Sequence, residues 1–321
     1  MKKFRKSALV IAMLAFAAGP ALAFPDRPVQ LIVPWAAGGG MDSVMRIFAV
    51  GFEAELKQPV TVINRTGGGG IAGHTAIANA TPDGYTVGGA SPEISFYKTL
   101  GLGTVGTDDI DIFSRVALIP AGVTVKADSP YKTIAEFIEA VKKAPKGTFT
   151  SSGTGTGGSW HIAAGGLMKA AGLPADQIRW VPSNGGAPAL QDLAAGSISA
   201  FTGSPIEAKA MIEGGRVRTI LLMTDAPHPN FPGVPNTKEA GLDWTYSNWF
   251  ALAAPKGLPA DRRKILYEAA ERAMKRDDVR KGMLDRAMTP VWDSAEELKE
   301  YVKTFGERGA AVLKDLGLAK N

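Results

Sequence analysis

The sequence predicts an α/β protein of two lobes, with a parallel-rich sheet in each lobe and two chain crossings between them. Three observations lead to this prediction. Short apolar runs alternate with helical segments, the alternation occurs in two successive series, and a late apolar run at residues 247–255 returns to the first series. The crossings are therefore expected near residues 119–124 and 247–251.

The first series has the order β-α-β-α-β. Its strands are predicted in "VQLIVPW" at 29–35, "VTVIN" at 60–64 and "YTVGGAS" at 85–91, and its helices in "SVMRIFAVGFEAEL" at 43–56 and in "HTAIANA". This order is typical of a parallel sheet with helices on both of its faces. Glycine-rich segments follow the first two strands, at Gly38-Gly39-Gly40 and in "RTGGGGIAG".

The second series follows residues 114–130. An amphipathic helix at 133–144 precedes the strand "TFTSS", and the loop "SSGTGTGGSWH" at 151–161 leads into a helix that ends before Gly172. The strand "IRWVP", the loop and helix "GAPALQDLAAG" and the runs "ISAFTG" and "VRTILLMT" complete the series. The C-terminal part is predicted to be helical apart from a short strand at "TPVW", and a capping box from Ser294 to Glu297 opens the last helix.

The first 23 residues have the pattern of a secretory signal. The chain opens with four basic residues, continues with an apolar run at 8–18 that is too short to span a bilayer, and reaches the small-x-small sequence Ala21-Leu22-Ala23. We therefore expect cleavage after Ala23 and a mature, exported chain that starts at Phe24. A retained membrane anchor is the alternative.

Composition excludes several classes of function. The whole chain has 36 Lys and Arg against 31 Asp and Glu, and four of the basic residues lie in the signal, which leaves 32 against 31. The mature chain thus has no global basic surface for nucleic acid. It also has no cysteine, which rules out disulfides, thiolate nucleophiles and Cys-ligated zinc. No later apolar run reaches the ~18–20 residues of a spanning helix, so we expect an exported, soluble protein.

The loop at 151–161 matches the patterns of several kinds of binding or catalytic site, and each can be compared with the sequence around it. Gly153 to Gly158 match G-x-G-x-x-G, but the next strand ends in "RWVPSNGG" without the acidic residue that a dinucleotide site needs, and no Lys-Ser/Thr pair follows as in a P-loop. A serine hydrolase would need G-x-S-x-G, whereas Ser159 lacks the last glycine. The three histidines are too far apart in sequence, and too poor in neighbouring carboxylates, to indicate a metal site.

What the loop offers is hydrogen-bond donors. Its glycines let the main chain approach a ligand closely, and the following helix start carries free N–H groups and partial positive charge. These features, with the Ser and Thr hydroxyls, suit a small anion such as a carboxylate. The alternative is that Ser159 is only an N-cap and the glycines only a turn. Similar strand–glycine–helix links at 34–42 and 182–190 indicate that several loops converge on one cleft. Asp42 is expected to interact with the helix start rather than with an anionic ligand.

Together these segments resemble the periplasmic substrate-binding proteins of tripartite tricarboxylate transporters, the Bug or TctC-like family. The resemblance covers essentially the whole mature chain. It is carried, in order, by "FPDRPVQLIVPWAAGGGMD", "QPVTVINRTGGGG", "TPDGYTV", "TSSGTGTGGSWH", "VPSNGGAPALQDLAAG", "FPGVPNTKEAGL" and "SNWFALAAPKGLP". It implies a two-lobed fold of the periplasmic-binding-protein type II, or Venus flytrap, kind. It also implies a small carboxylate ligand held by main-chain amides, hydroxyls and bridging water.

The resemblance also implies where the ligand binds. Carried over by position, the contacts are Trp35, Gly38, Gly39 and Ser91 in the first lobe, and Ser152, Thr154, Gly155, Thr156, Gly157, Ser159, His161, Asn184, Gly185, Gly186, Ala187 and Ser204 in the second. The first lobe is expected to comprise residues 24–121 and 249–321, and the second residues 122–248. No catalytic residue, metal or cofactor is expected.

The chain departs from the family pattern at several of these positions. Ala36-Ala37 replace two prolines, Ser183-Asn184 replace an aromatic residue and a lysine, and Gly203-Ser204 replace an Asp-Asn pair. Glu93 follows the third strand, where a carboxylate facing an anion is costly unless it is paired. Glu93, with Trp35 and Trp249, favours an aromatic or amine-bearing carboxylate, and packing is the alternative role of the two tryptophans.

The resulting hypothesis is a monomeric solute-binding protein that delivers a small carboxylate to the integral membrane subunits of a transporter. A ligand-sensing protein that feeds a signalling receptor is a second hypothesis. An exported enzyme using the same cleft is a third, and it lacks a general acid–base set, since the chain has no cysteine, one cleft histidine and no paired carboxylates.

Overall fold

The computed structural model describes residues 24–320, so the predicted signal at 1–23 lies outside the described residues. The strands are β1 Val29–Val33, β2 Val60–Asn64, β3 Thr86–Ala90, β4 Ile110–Pro120, β5 Gly122–Lys126, β6 Thr150–Ser152, β7 Arg179–Trp180, β8 Ala200–Gly203, β9 Val217–Leu222, β10 Ser247–Pro255 and β11 Thr289–Pro290. The helices are α1 Gly40–Leu56, α2 Ile71–Ala78, α3 Tyr97–Leu100, α4 Ile134–Lys143, α5 Ser159–Ala170, α6 Gly186–Ala195, α7 Lys209–Glu213, α8 Ala260–Lys275, α9 Asp277–Leu284 and α10 Ala295–Asp315.

These strands form two sheets, one in each lobe. The first sheet has the order β11-β4-β10-β3-β1-β2, and the second has the order β7-β6-β8-β5-β9. Strands β1 to β3 pair in parallel, as do β6, β7 and β8, which agrees with the predicted β-α-β series. The prediction of parallel-rich sheets is too strong for the sheets as a whole. Strands β4, β5, β9, β10 and β11 pair antiparallel with their neighbours. In the first sheet, β4 leads the chain out of the lobe and β10 brings it back, so these two strands run in opposite directions.

The first lobe is held together by an apolar layer between the sheet and α1. Val44, Met45, Phe48 and Phe52 recur on one face of α1, at the spacing of a helical stripe, and all are fully buried. The helix also packs closely on α9. A methyl group on Gly51 would lie 2.5 Å from Val279 Cγ2, so only glycine allows this approach.

The two crossings lie side by side. The chain leaves the first sheet at Pro120 and enters the second at Gly122, and it returns from β9 to β10 at Ser247, in agreement with the predicted positions. The amide of Ala121 donates to the carbonyl of Tyr246 (2.9 Å), and the amide of Met223 donates to the carbonyl of Ala121 (2.8 Å). Tyr246 in turn donates to Met223 (2.9 Å), so three segments are bonded together where the lobes meet.

The C-terminal helix α10 connects the lobes a further time. Phe305 packs against Phe96 of the first lobe and against Tyr246 at the crossing, with ring centroids 5.9 and 5.1 Å apart. Val312 and Leu313, near the end of the helix, are buried in the core of the second lobe. The expected assignment of residues 249–321 to the first lobe is therefore wrong for this end of α10. The domain boundaries otherwise stay a prediction.

Among residues 24–320, no helix is both long enough and apolar enough to cross a membrane.

Candidate functional site

The candidate site lies where loops from the two sheets face each other. The loops after β1 and β3 come from the first lobe, and those after β6, β7 and β8 come from the second. Ligands of open α/β sheets bind at the carboxyl ends of the strands, which is where these loops start. The lobes touch at the rim of this cleft, because a methyl group on Gly157 would lie 2.8 Å from Cδ2 of Leu100.

Asp42 shapes the first-lobe loop. Its carboxylate accepts hydrogen bonds from the amide of Gly38 (2.8 Å), from Arg46 (2.9 Å) and from the side chain of Asn64 (2.8 Å). Burial opposes its ionisation, but the bonds from Arg46, Gly38 and Asn64 outweigh burial and lower the pKa of Asp42. Asp42 thus holds the loop that carries the predicted contacts Gly38 and Gly39. This role agrees with the expectation that Asp42 interacts with the helix start.

A hydrogen-bonded chain runs from Trp35 to Glu93. The indole N–H of Trp35 donates to Ser91 Oγ (3.1 Å), and this hydroxyl donates to Glu93 Oε2 (2.8 Å). The amide of Ser91 donates to the ring of His74 (3.3 Å). Burial raises the pKa of Glu93, and the bond from Ser91 only partly opposes it. The predicted contacts Trp35 and Ser91 therefore hold a carboxylate at the carboxyl end of β3.

The backbone of the 151–161 loop is held by hydrogen bonds within the second lobe. The amide of Gly158 donates to the carbonyl of Gly155 (3.0 Å), which closes a turn. The carbonyl of Thr154 accepts from the amide of Ser183 (3.0 Å) and from the indole of Trp180 (3.1 Å). These bonds bring the glycine-rich loop next to the segment that carries Asn184 and Gly185.

His161 supports this loop. Its Nδ1 accepts a hydrogen bond from the amide of Gly157 (3.0 Å), and its ring stacks on Trp180 with centroids 4.6 Å apart and planes 10° apart. Burial lowers the pKa of His161 to about 4, so the ring is neutral at pH 7 with its proton on Nε2. Gly157 has φ +74°, a left-handed conformation that favours glycine. His161 positions the loop, and its contact with a ligand stays a prediction.

The side chain of Ser159 does not cap helix α5, which was the alternative to a ligand contact. The N-cap of α5 is Gly158, and no side chain caps this helix end. Ser159 Oγ instead lies 2.8 Å from the phenolic oxygen of Tyr246 and donates to Oδ1 of Asn248. Its hydroxyl is therefore engaged at the crossing between the lobes. The N-cap interpretation is wrong because the residue before Ser159 already adopts the extended conformation of a cap.

Three other predicted contacts have hydroxyls with no partner. The side chains of Ser152 and Ser204 are 0% and 1% exposed, and their Oγ atoms, like Oγ1 of Thr154, form no hydrogen bond with any described residue. Leaving a buried hydroxyl unpaired costs about 1–3 kcal/mol. Ser152 ends β6, and Ser204 follows the neighbouring strand β8. The hydrogen-bonding capacity of these three hydroxyls is therefore unused among the described residues.

The loop before α6 contains a group that the sequence did not indicate. Gly185 has φ +140° and precedes the helix, and Gly186 is its first residue. A methyl group on Gly186 would lie 1.6 Å from Oε2 of Glu207, so the Glu207 carboxylate lies directly against this helix start. The surrounding protein raises the pKa of Glu207 to about 7 by desolvation, although the side chain remains accessible. Ala187 and Asn184 are exposed beside it.

The remaining candidates differ in burial. Trp249 is fully buried, and its ring lies edge-on to Phe305 with centroids 6.2 Å apart, which agrees with the packing alternative. Gly155 and Thr156 lie exposed at the tip of the second-lobe loop. Within the described part of the chain, no group of three His, Asp or Glu residues could hold a metal ion.

Sequence reasoning missed Glu207, Tyr246 and Asn248. Glu207 lies three residues after Ser204, in the turn where its amide donates to the Ser204 carbonyl (3.0 Å). The sequence shows that Gly203-Ser204 replace the Asp-Asn pair of the family pattern. This replacement does not indicate that the nearby Glu207 carboxylate lies against Gly186. Tyr246 and Asn248 border the predicted crossing at 247–251, and only their side-chain bonds to Ser159 reveal a part in the site.

Comparisons with known proteins agree with this geometry. The family model "Tripartite tricarboxylate transporter family receptor" matches residues 44–318. A relative from Cupriavidus necator, described as the UPF0065 protein in the gbd 5′ region, is 30% identical over 318 residues, covering 98% of this chain and 96% of the relative.

Solved structures give the same fold. The periplasmic binding protein BugD is 26% identical, with a TM-score of 0.79 over 93% of this chain and 100% of that chain. A protein from R. palustris, solved with adipate, is 25% identical, with a TM-score of 0.79 over 92% of this chain and 99% of that chain.

Proposed function

Because the chain belongs to the tripartite tricarboxylate transporter receptor family, we propose that it captures a small carboxylate between its lobes and delivers it to membrane subunits of such a transporter. The observation that carries the proposal is the set of unpaired, buried hydroxyls of Ser152, Thr154 and Ser204. They lie at the carboxyl ends of β6 and β8, beside the glycine-rich loop. The R. palustris relative solved with adipate supports a dicarboxylate-sized ligand.

The proposed binding mode uses main-chain donors. Helix α5 starts at Ser159 and α1 starts at Gly40, and neither helix has a side-chain cap at its N-terminus. Free N–H groups and the partial positive charge of such helix starts favour a carboxylate. The two helices belong to different lobes, so a ligand between them contacts both. Binding energy gained from both lobes stabilises the closed arrangement of the cleft.

We also propose that the ligand leaves unchanged. The family is one of substrate-binding proteins, and the site gives no reason to expect turnover. His161, the histidine of the glycine-rich loop, is neutral, hydrogen-bonded to the amide of Gly157 and stacked on Trp180. General acid–base catalysis needs a group that gains and loses a proton at the reacting atom. Mass spectrometry of a ligand recovered after incubation should return the ligand at its original mass.

We infer the cellular location and the membrane partners of this chain from those of its family. Its members are periplasmic binding proteins, as BugD is, and we propose the same compartment for this chain, with cleavage after Ala23. We further propose that the mature protein acts as a monomer, since each chain contributes both sides of the cleft. Size-exclusion chromatography with light scattering would test the monomer, and a dimer mass would contradict it.

A thermal-shift screen tests the proposed function. The mature protein would be heated with adipate, succinate, citrate, benzoate, aspartate and glutamate, and with glucose as a neutral control. A ligand present at one hundred times its Kd stabilises a folded protein by about 2.7 kcal/mol, a shift that is easily measured. We expect at least one carboxylate to raise the melting temperature and glucose to leave it unchanged. A panel without any effective carboxylate would contradict the proposal.

A further inference from the structure

Starting from the proposed function, we infer that the ligand carries a positively charged nitrogen as well as a carboxylate, and that Glu207 binds this nitrogen. The inference rests on the carboxylate that lies against Gly186 and on two unpaired, buried hydroxyls, that of Ser204 in the same turn as Glu207 and that of Ser152 on the strand next to β8. It names a substrate class, zwitterionic carboxylates such as amino acids, for the site described above.

Glu207 has no partner of opposite charge. Among residues 24–320, its carboxylate takes part in no ion pair and in no side-chain hydrogen bond. The nearest basic residue in sequence, Lys209, lies 3.9 Å from Glu213 instead. The surrounding protein raises the pKa of Glu207 by desolvation. A cationic group of a ligand would favour the charged form of this carboxylate.

A structural role as a helix cap does not account for Glu207. A carboxylate at a helix start normally accepts N–H bonds from the first turn. Neither Gly186 nor Ala187 donates to Glu207, and desolvation is the sole cause of its pKa shift. The negative charge nevertheless occupies the start of α6, where it repels a ligand carboxylate. The expected contacts of Gly185, Gly186 and Ala187 with a carboxylate are therefore reassigned to a cationic group.

Two further observations point to a ligand at this place. Ser204, in the same turn as Glu207, has a hydroxyl that is buried and unpaired, and so does Ser152 on the neighbouring strand. Hydroxyl oxygens accept hydrogen bonds from an ammonium group as readily as they donate to a carboxylate. From the first lobe, Glu93 adds a second carboxylate with a raised pKa, bonded to Ser91 and without an ion-pair partner in the described chain.

The site thus combines groups of opposite character. The start of α5 has no side-chain cap and is positive in character, whereas Glu207 and Glu93 are acidic. A plain dicarboxylate would place a negative charge near one of these acids. A molecule that carries both a carboxylate and an ammonium group matches both kinds of group.

Calorimetric titration with matched ligand pairs tests the inference. Each pair differs by one ammonium group: succinate and aspartate, glutarate and glutamate, adipate and 2-aminoadipate. We expect the amino member of the pair that binds best to bind about ten- to a hundredfold more tightly, the range of one charge-assisted hydrogen bond. Glu207→Gln should remove this preference and leave the plain dicarboxylate as tightly bound as before or more so. Glu213→Gln, on the exposed helix α7, is the matched control and should keep the preference.

The possible failures are distinguishable. If dicarboxylates bind and the ammonium group gives no gain, or if Glu207→Gln keeps the gain, the inference is wrong and the proposed function stands. If no member of any pair binds but citrate or benzoate does, the inference is wrong and the proposed function stands. If no carboxylate of the thermal-shift panel or of the pairs binds, the proposed function is contradicted together with the inference. Circular dichroism and melting of both variants show whether each is folded, and Glu93→Gln supplies a second variant that should lower the same preference.

Discussion

The hydroxyl of Ser159 lies 2.8 Å from the phenolic oxygen of Tyr246, which joins the first turn of α5 to the segment that crosses between the lobes. Ser159 also donates to Asn248, so the hydrogen of the Tyr246 hydroxyl is directed at Ser159. Both side chains of the pair are buried. The helix start that is proposed to face the ligand is therefore bonded to the segment at the second crossing.

Ser159→Ala should destabilise the protein more than a lost helix cap would. The change leaves the buried hydroxyl of Tyr246 without its acceptor, which costs about 1–3 kcal/mol. Tyr246→Phe removes the other partner and should cost a similar amount. Urea denaturation of both single variants and the double variant gives a coupling free energy, expected at about 0.5–3 kcal/mol for residues in contact. Additive effects would show that the two hydroxyls do not interact.

The stability of the protein should fall with pH partly through His161. Its pKa is about 4 in the folded protein and about 6.5 when unfolded, so the unfolded state binds more protons between these values. The stabilisation is fully present above pH 6.5 and is lost as the pH falls through 4, by about 3 kcal/mol from this residue.

His161→Asn isolates this contribution. The Asn amide oxygen can accept the bond from Gly157 and does not titrate, whereas His74, whose pKa burial lowers to about 3, is kept. Denaturation at a series of pH values should give the variant a shallower decline between pH 6.5 and 4. Parallel pH profiles for both proteins would mean that His161 is not buried in the neutral form.

The exported protein should begin at Phe24. The ring of Phe24 packs edge-on to Tyr85 with centroids 5.1 Å apart, and a methyl group on Gly84 would lie 2.6 Å from this ring, so the first described residue is part of the lobe. Cleavage after Ala23 leaves this packing intact. Intact-mass measurement of the exported chain checks the prediction, and a chain that retains residues 1–23 would contradict it.

Much of the fold was predictable because the strands and loops are local features. Apolar runs next to Pro mark β1 and β2, and the two crossings follow from the return of the late run at 247–255. The antiparallel pairings were not predictable in the same way. Whether β5 lies beside β8 or β6 depends on contacts between segments some 80 residues apart, which no local pattern records.

The sequence predicted which loops form the candidate site. It predicted the roles of individual side chains in that site less well. The resemblance brought Ser152, Thr154 and Ser204 together, and their buried, unpaired hydroxyls agree with a ligand contact that stays a prediction. Ser159 and His161 were expected to face the ligand, yet their side chains bond to Asn248 and to Gly157. Such bonds depend on where another loop folds, so residue type and spacing could not reveal them.

The central claim is that the loop at 151–161 holds a carboxylate. Gly155 is the position that tests it, because it has no atom within 4 Å of an added methyl group and its φ is not left-handed. Gly155→Val should therefore fold as well as the wild type while filling the space in front of the loop amides. Gly157→Val is the contrasting variant, since φ +74° and Leu100 at 2.8 Å predict a loss of stability.

The most direct measurement is calorimetric titration of the wild type and of Gly155→Val with the carboxylate from the panel that gives the largest thermal shift. The account predicts one binding site per wild-type chain and no measurable binding to Gly155→Val, with both proteins melting at the same temperature. Equal affinity in the two proteins would contradict the account, because the carboxylate would then bind away from the loop.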